Sequence, residues 1–385
     1  MPIRNRISEL ASEVAEWRQD MHAHPELGFE TQRSAALVAE RLRDFGCDEV
    51  VEGIGKTGVV ALINGARGTG PTIGLRADMD ALPIQETSGV SHASRTEGKM
   101  HGCGHDGHTA MLLGAAKIMA GTRNFKGTVA LIFQPAEEIA QGATAMIGDD
   151  LFERFDISEV YGMHNRPGLE IGEFVIRQGP YFASVDTFEI KVSGKGGHAA
   201  RPNSCMDPIV AASAIVGALQ TIVSRNVNPV ENLVLTVTSF RSSSDAFNVI
   251  PDNVVLRGTV RSFDPQVRKM AETRLRKIVA DGAEMFGAKA AVDWFDGCPA
   301  MVNSEEATNY ATMAASRVAG QAPGPAPLVM GGEDFAFMLD ERPGAYIQIG
   351  NGDTAEVHHP NYDFNDEAIP FGCSYWVELV ECRLT

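Results

Sequence analysis

Residues 185–295 carry the order strand, helix, strand, strand, helix, strand, and this rhythm constrains the chain more than any other feature. Strands read at 185–193, 232–240, 253–262 and 288–295, with helices at 207–224 and 265–286. That β-α-β-β-α-β order closes on itself as a four-stranded, ferredoxin-like α+β unit. We therefore expect an inserted domain over residues 180–293. The flanking segments, 1–179 and 294–385, then form one discontinuous domain. A chain of 385 residues is long for a single core, which agrees with two domains.

The flanking segments alternate differently. Ile7, Leu10, Val14, Trp17 and Met21 recur at spacings of three and four, which predicts an amphipathic helix over residues 1–21. Pro25 ends it, because the residue before a proline avoids helix. A second helix is expected at 31–45, strands at Gly58–Asn64, Thr72–Ala77 and Thr128–Phe133, and a helix at 108–120. Strands alternating with helices predict an α/β sheet covered on both faces. The stretch Ala322–Pro327 reads as a loop.

Charge and cysteine usage exclude several classes. A net charge of -17 repels phosphate backbones, so no nucleic acid is expected as a partner. The six cysteines are scattered, unlike a disulfide framework. The N-terminus has no signal-peptide pattern, and no uninterrupted apolar run reaches the length of a bilayer span. We expect a cytoplasmic protein with no membrane partner.

Met100-His101-Gly102-Cys103-Gly104-His105-Asp106-Gly107-His108 packs imidazoles, a thiol and a carboxylate into a glycine-broken stretch before a helix. Glycines permit sharp turns that aim neighbouring side chains at one point. Thiolate and imidazole are good ligands for zinc and similar ions. A single such residue is ordinarily a packed or surface group; the cluster favours metal. Downstream, the strand 128–133 runs into Gln134-Pro135-Ala136-Glu137-Glu138, so two carboxylates sit at a strand end, where α/β proteins build sites. One carboxylate suits metal binding and its neighbour general-base work. Asp78, Asp80, His164, His358 and His359 also follow apparent strands or lie in loops. Each alone is weak, but all fall where distant segments meet at one sheet edge.

In order along the chain, Arg76-Ala77-Asp78-Met79-Asp80-Ala81-Leu82-Pro83, Cys103-Gly104-His105-Asp106-Gly107-His108, Gln134-Pro135-Ala136-Glu137-Glu138 and Gly196-Gly197-His198-Ala199-Ala200 resemble the M20 metallopeptidase family. The branch they resemble is its amidohydrolase subgroup, which includes hippurate hydrolases, N-acyl-amino-acid amidohydrolases and auxin-conjugate hydrolases. The resemblance implies a zinc-peptidase-like mixed sheet with helices on both faces, and a ferredoxin-like lid that joins subunits into a homodimer or homotetramer. It implies that Cys103, His105, Glu138, His164 and His358 hold two divalent metal ions per subunit (Mn, Zn, Co or Ni). His359 is the alternative to His358, which is preferred because related chains usually place a histidine two residues before this proline. The resemblance makes Glu137 the general base and has Asp80 orient His105. Asp78 occupies a position that is a metal-binding histidine in the peptidase branches, with Cys103 as the replacement ligand.

On the lid, His198 resembles a histidine that reaches across a dimer to stabilise a tetrahedral oxyanion. Asn248 and Arg261 resemble substrate-binding positions, Arg261 offering its planar fork to a carboxylate. Gly331 opens a turn, Gly331-Gly332-Glu333-Asp334-Phe335, whose backbone resembles a substrate contact; Glu333 and Asp334 read equally as helix N-terminal charges. The expected activity is hydrolysis of the amide of an N-acyl amino acid, such as an aromatic acyl-glycine. A dipeptidase or a deacetylase of a biosynthetic intermediate uses the same site. Two other classes remain open: a hydrolase with Cys103 as nucleophile and His105 or His108 as base, and a metal carrier or sensor without turnover.

Overall fold

The computed structural model describes residues 2–385. Met1, first residue of the expected N-terminal helix, lies outside the described residues. The chain divides into two compact units: Met1–Gly179 with Val302–Pro327 and Glu333–Thr385, and Pro180–Met301 with Leu328–Gly332.

The first unit is built on an eight-stranded mixed sheet. Its centre is four parallel strands, Thr128–Gln134, Thr72–Asp78, Ile157–Arg166 and Gly344–Gly350, side by side in that order. Thr72–Asp78 and Gly344–Gly350 are buried along their whole length, as expected for parallel strands covered on both faces. Antiparallel strands flank this centre: Gly58–Asn64 and Glu49–Ile54 on one side, Phe174–Ile176 on the other. On one face the helix His105–Thr122 packs against Pro2–Ala23 and Ile369–Arg383. It is buried almost throughout. The sequence places its start at 108, three residues late. Gly104 is the N-cap, at φ 93, a left-handed conformation that glycine adopts freely. The histidine cluster is therefore already helical from His105.

The second unit has the expected element order. Its strands Leu233–Ser242, Asn253–Ser262, Ser184–Ser193 and Lys289–Asp296 lie in that spatial order, all antiparallel. The helices Pro208–Thr221 and Pro265–Met285 pack on the sheet. Each opens with an aspartate N-cap, Asp207 and Asp264, whose carboxylate accepts from backbone N–H groups of the first turn, and each has proline next. The boundary expected at 293 falls inside a strand, because pairing with Ser184–Ser193 continues to Asp296. Leu328–Gly332, and Gly331 with it, belong to this unit: Ala183 N–H donates to the Val329 carbonyl at 2.9 Å. The helical stretch Pro208–Asn226 is long and apolar enough by length and composition to cross a bilayer, although Ser213, Gln220, Thr221, Ser224 and Arg225 interrupt its apolar run. Its Ala211, Ala212, Ile215, Leu219 and Ile222 are buried against the sheet.

A buried polar cluster ties the N-terminal helix to the first turn of His105–Thr122. His22 Nδ1 lies 2.8 Å from Asp106 Oδ2, and His22 Nε2 3.4 Å from Glu86 Oε1. Arg18 joins Asp363 and Asp366, each at 2.8 Å. Burial alone disfavours a charged His22, but Asp106 and Glu86 outweigh it and raise its pKa to about 9. A raised pKa contributes stability that is complete below the unfolded value of 6.5 and is lost as pH rises through about 9. The wild-type advantage over His22→Gln should therefore shrink by about 3 kcal/mol between about pH 6 and about pH 10. Urea unfolding across that range measures it, and a pH-independent difference contradicts the assignment.

Candidate metal centre

The C-terminal ends of three adjacent parallel strands, Thr72–Asp78, Thr128–Gln134 and Ile157–Arg166, define one edge of the first unit's sheet. This edge is where open α/β sheets place their sites. Asp78 ends the first strand, Glu137 and Glu138 follow the second, and His164 is near the end of the third. His105 opens the helix above them.

The ligand atoms of Cys103, His105 and His164 lie within 4.8 Å of one another, and so do those of Cys103, Glu138 and His358. A third group joins His105, Glu137 and Glu138 within the same limit. Cys103 Sγ is 3.4 Å from His164 Nε2, and His358 Nε2 is 3.5 Å from Glu138 Oε2. His359 is in none of these groups, and its Nδ1 accepts the Asn361 N–H at 3.1 Å. His358 reaches the cluster from a left-handed backbone, φ 66, a conformation uncommon outside glycine and found at constrained sites.

Asp80 holds the arrangement together. One carboxylate oxygen accepts the Glu137 N–H at 3.0 Å and the other the Glu138 N–H at 3.2 Å. Its Oδ1 also lies 3.4 Å from His105 Nδ1. Asp80 thus positions the Glu137-Glu138 turn and faces the imidazole together. That turn is tight, with Ala136 at φ 55.

Asp78 and His108 have a different task. His108 Nε2 accepts the Asn165 N–H at 2.9 Å, so its proton is on Nδ1, which lies 2.6 Å from Asp78 Oδ1. Both ring nitrogens are thus hydrogen-bonded, although ligand atoms of Asp78, His105 and His108 also lie within 4.8 Å of one another. Asp78 also takes Arg76 Nη1 at 2.6 Å. Arg76 is fully buried and donates further to Gln134, Glu333 and Asp334, each at 3.0 Å. Glu333 and Asp334 are therefore buried partners of Arg76 beneath the site, which the sequence reading missed. One signal was available: an arginine inside a fully buried strand requires buried counter-charges. His101 is buried too, with neither ring nitrogen hydrogen-bonded, and stands outside the converging groups.

Electrostatics show what the cluster lacks. Burial, then Glu138, pushes the Cys103 thiol well above its ordinary range. Burial, then Glu333 and Asp334, pushes the Glu137 carboxyl well above the carboxylate range. Glu138 is raised to about 7, chiefly by burial. Burial and His108 hold His164 neutral, and burial and His105 lower His358. The buried His105 Nε2 and Glu138 Oε1 have no hydrogen-bond partner. Burial disfavours a charged His105, but Asp78 and Asp80 raise its pKa well above the ordinary value; with two neutral imidazoles, a thiol and crowded carboxylates it forms a donor set that a divalent cation satisfies as the protons leave. The raised thiol pKa opposes a free Cys103 nucleophile, which requires a depressed one.

In the second unit, the candidate residues fall into two neighbouring pairs. His198 lies in a short strand against Val249–Ile250, and the Ala199 N–H donates to the Asn248 carbonyl at 3.0 Å. Arg261 donates from Nε to Thr259 Oγ1 at 3.1 Å and from Nη1 to the Met330 carbonyl, beside Gly331, at 3.3 Å.

Comparison with known proteins places this site in a family. Residues 74–381 match the model of peptidase family M20/M25/M40. The chain is 40% identical over 363 residues to an N-acetylcysteine deacetylase of Bacillus subtilis, covering 94% of both. It is 41% identical over 376 residues to a hippurate hydrolase of Campylobacter jejuni, covering 97% of both. Among solved structures it is similar to the YXEP protein of Bacillus subtilis, described as a dinuclear metal binding peptidase from the M20 family. That match has a TM-score of 0.87 and 36% identity, and covers 98% of this chain and 99% of the other. The chain belongs to peptidase family M20/M25/M40 and, as a member of its amidohydrolase subgroup, is a hydrolase of linear amides.

Proposed function

We propose that the protein hydrolyses N-acyl amino acids of the hippurate type to a carboxylic acid and an amino acid. The observation that carries this reading is the convergence of Glu137 with Cys103, His105, Glu138, His164 and His358 at one sheet edge. The last five would hold two divalent ions, consistent with their unpaired donors and with the dinuclear description of a structural relative. Such ions, when bound, lower the pKa of water from about 15.7 towards about 7 and polarise a carbonyl oxygen.

The chain's own residues do the rest. Glu137 takes the proton from the attacking water and delivers it to the departing nitrogen. Its raised proton affinity, set by burial and the Glu333 and Asp334 carboxylates, suits that shuttle. Asp80 fixes the carboxylate's position through the Glu137 N–H. His198 is assigned to the developing oxyanion, and Asn248, Arg261 and Gly331 to substrate binding.

A second reading is supported by the deacetylase name of one relative: the acyl group is acetyl. A panel of N-benzoyl and N-acetyl amino acids, assayed with Mn²⁺, Zn²⁺, Co²⁺ or Ni²⁺, separates the two. Benzoylglycine among the best substrates is the expected result. Strong preference for acetyl compounds moves the assignment to a deacetylase. Turnover of none of them, with intact dipeptides cleaved, contradicts both.

A further inference from the structure

We propose that Asn165 and Tyr362 form a positioning pair that holds three of the proposed metal ligands, Cys103, His164 and His358, in fixed relation to one another. The assignment rests on the two-ion reading above. Asn165 follows His164 near the end of the strand Ile157–Arg166, and Tyr362 follows His358 in the C-terminal segment. Both side chains are buried. They meet across 197 residues of chain, where the Tyr362 hydroxyl donates to Asn165 Oδ1 at 2.8 Å.

Asn165 is hydrogen-bonded at every polar atom. Its Nδ2 donates to the Cys103 carbonyl at 2.6 Å and lies 3.1 Å from His108 Nε2. Its main-chain N–H donates to the same His108 nitrogen at 2.9 Å. Its carbonyl lies 2.6 Å from His164 Nδ1. A carbonyl only accepts, so the His164 proton is on Nδ1. The lone pair is left on Nε2, the atom 3.4 Å from Cys103 Sγ. One residue thus sets the tautomer of one ligand and the backbone position of another. The amide cannot flip, because its oxygen would then face the Cys103 carbonyl and its nitrogen the Tyr362 hydroxyl.

Tyr362 brings in the third ligand. Its N–H donates to the His359 carbonyl at 2.9 Å, closing the turn directly after His358. The His358 N–H donates to the Gly102 carbonyl at 2.6 Å. The His358 segment is therefore tied to the Cys103 segment twice, once by backbone and once through Tyr362 and Asn165. Gly104 shows how closely these parts fit: a Cβ there would collide with Asn165 Nδ2 and Tyr362 Oη. Partners that orient metal ligands change metal affinity by about 10–100-fold when removed.

The test titrates metal-free wild type, Asn165→Ala, Tyr362→Phe and Tyr161→Phe with Co²⁺ against a competing chelator, and records the sulfur-to-cobalt charge-transfer band. Tyr161 is the control: its hydroxyl makes a comparable buried bond, to Glu159 Oε1 at 2.6 Å, within the strand that carries His164. Asn165→Ala should bind Co²⁺ about 10–100-fold more weakly, with a weakened sulfur band. Tyr362→Phe should change both in the same direction by less, and Tyr161→Phe should match wild type in both. Tyr362→Phe keeps the ring in the core, so it decides alone should Asn165→Ala fail to fold. Wild-type affinity and band in either Asn165→Ala or Tyr362→Phe, or an equal loss in Tyr161→Phe, overturns the proposal. So does Co²⁺ bound by wild type without a sulfur band, because Cys103 is then no ligand. Wild type that binds no Co²⁺ overturns the two-ion reading itself, and this assignment with it.

Discussion

Glu137→Gln should abolish turnover while leaving the protein's metal content unchanged. The substitution keeps the side chain's size and leaves the Glu137 N–H bonded to Asp80 at 3.0 Å. It removes the one property the mechanism needs, a carboxylate that accepts a proton and releases it. A positioned acid/base contributes about 10²–10⁴-fold to rate, so kcat should fall by at least about that factor. The proposed ligand set of Cys103, His105, Glu138, His164 and His358 is untouched, so elemental analysis should give the wild-type metal stoichiometry. Near-normal kcat would show that another group is the base and would reopen the carrier or sensor reading. Loss of metal together with activity would assign Glu137 to the ligands instead.

Arg76→Met should have the largest effect on folding. The guanidinium is fully buried, and burial alone disfavours its charge, yet Glu333, Asp78 and Asp334 hold its pKa well above the ordinary value. Removing it leaves Asp78, Glu333 and Asp334 without their common cation. Breaking a buried pair by deleting one partner costs about 3–5 kcal/mol. Methionine fills much of the volume, so the loss is electrostatic rather than a cavity. Lysine is no substitute, because a point charge cannot reproduce four directed bonds. Asp78 also positions His108, which supports Asn165 and the backbone beside His164. The variant should therefore lose stability to urea by about 3–5 kcal/mol and bind metal less tightly. A change within about 1 kcal/mol would mean that the network is dispensable, as some buried ion networks are.

These two residues show what pattern reading reaches. Glu137 was legible: a strongly apolar run, Thr128–Phe133, ends in Gln134-Pro135-Ala136-Glu137-Glu138, and the strand Thr128–Gln134 delivers it to a sheet edge. The second unit was legible because its strands alternate and its helices open on Asp-Pro caps. Arg76 lies in the motif Arg76-Ala77-Asp78-Met79-Asp80-Ala81-Leu82-Pro83, but its partners Glu333 and Asp334 are 257 and 258 residues away. No periodicity encodes that meeting; it follows from the parallel order of the strands. The start of the helix His105–Thr122 was missed because glycine normally signals a break, whereas Gly104 at φ 93 is the cap itself. Glu49–Ile54 is exposed or half-buried at all positions but Ile54, on the sheet's edge, so its weak alternation gave no strand signal. The domain boundary slipped because strand pairing, not composition, decides that residues 294–296 continue the second unit.

In the proposed mechanism the cluster at the sheet edge works as a two-ion centre. Its most direct test is complete removal of metal, followed by stepwise addition of Mn²⁺, Zn²⁺, Co²⁺ or Ni²⁺ while hydrolysis and bound metal are measured together. The metal-free protein should show no turnover, with full recovery at about two ions per chain. Undiminished hydrolysis by metal-free protein, or full activity at a single ion, would contradict that mechanism.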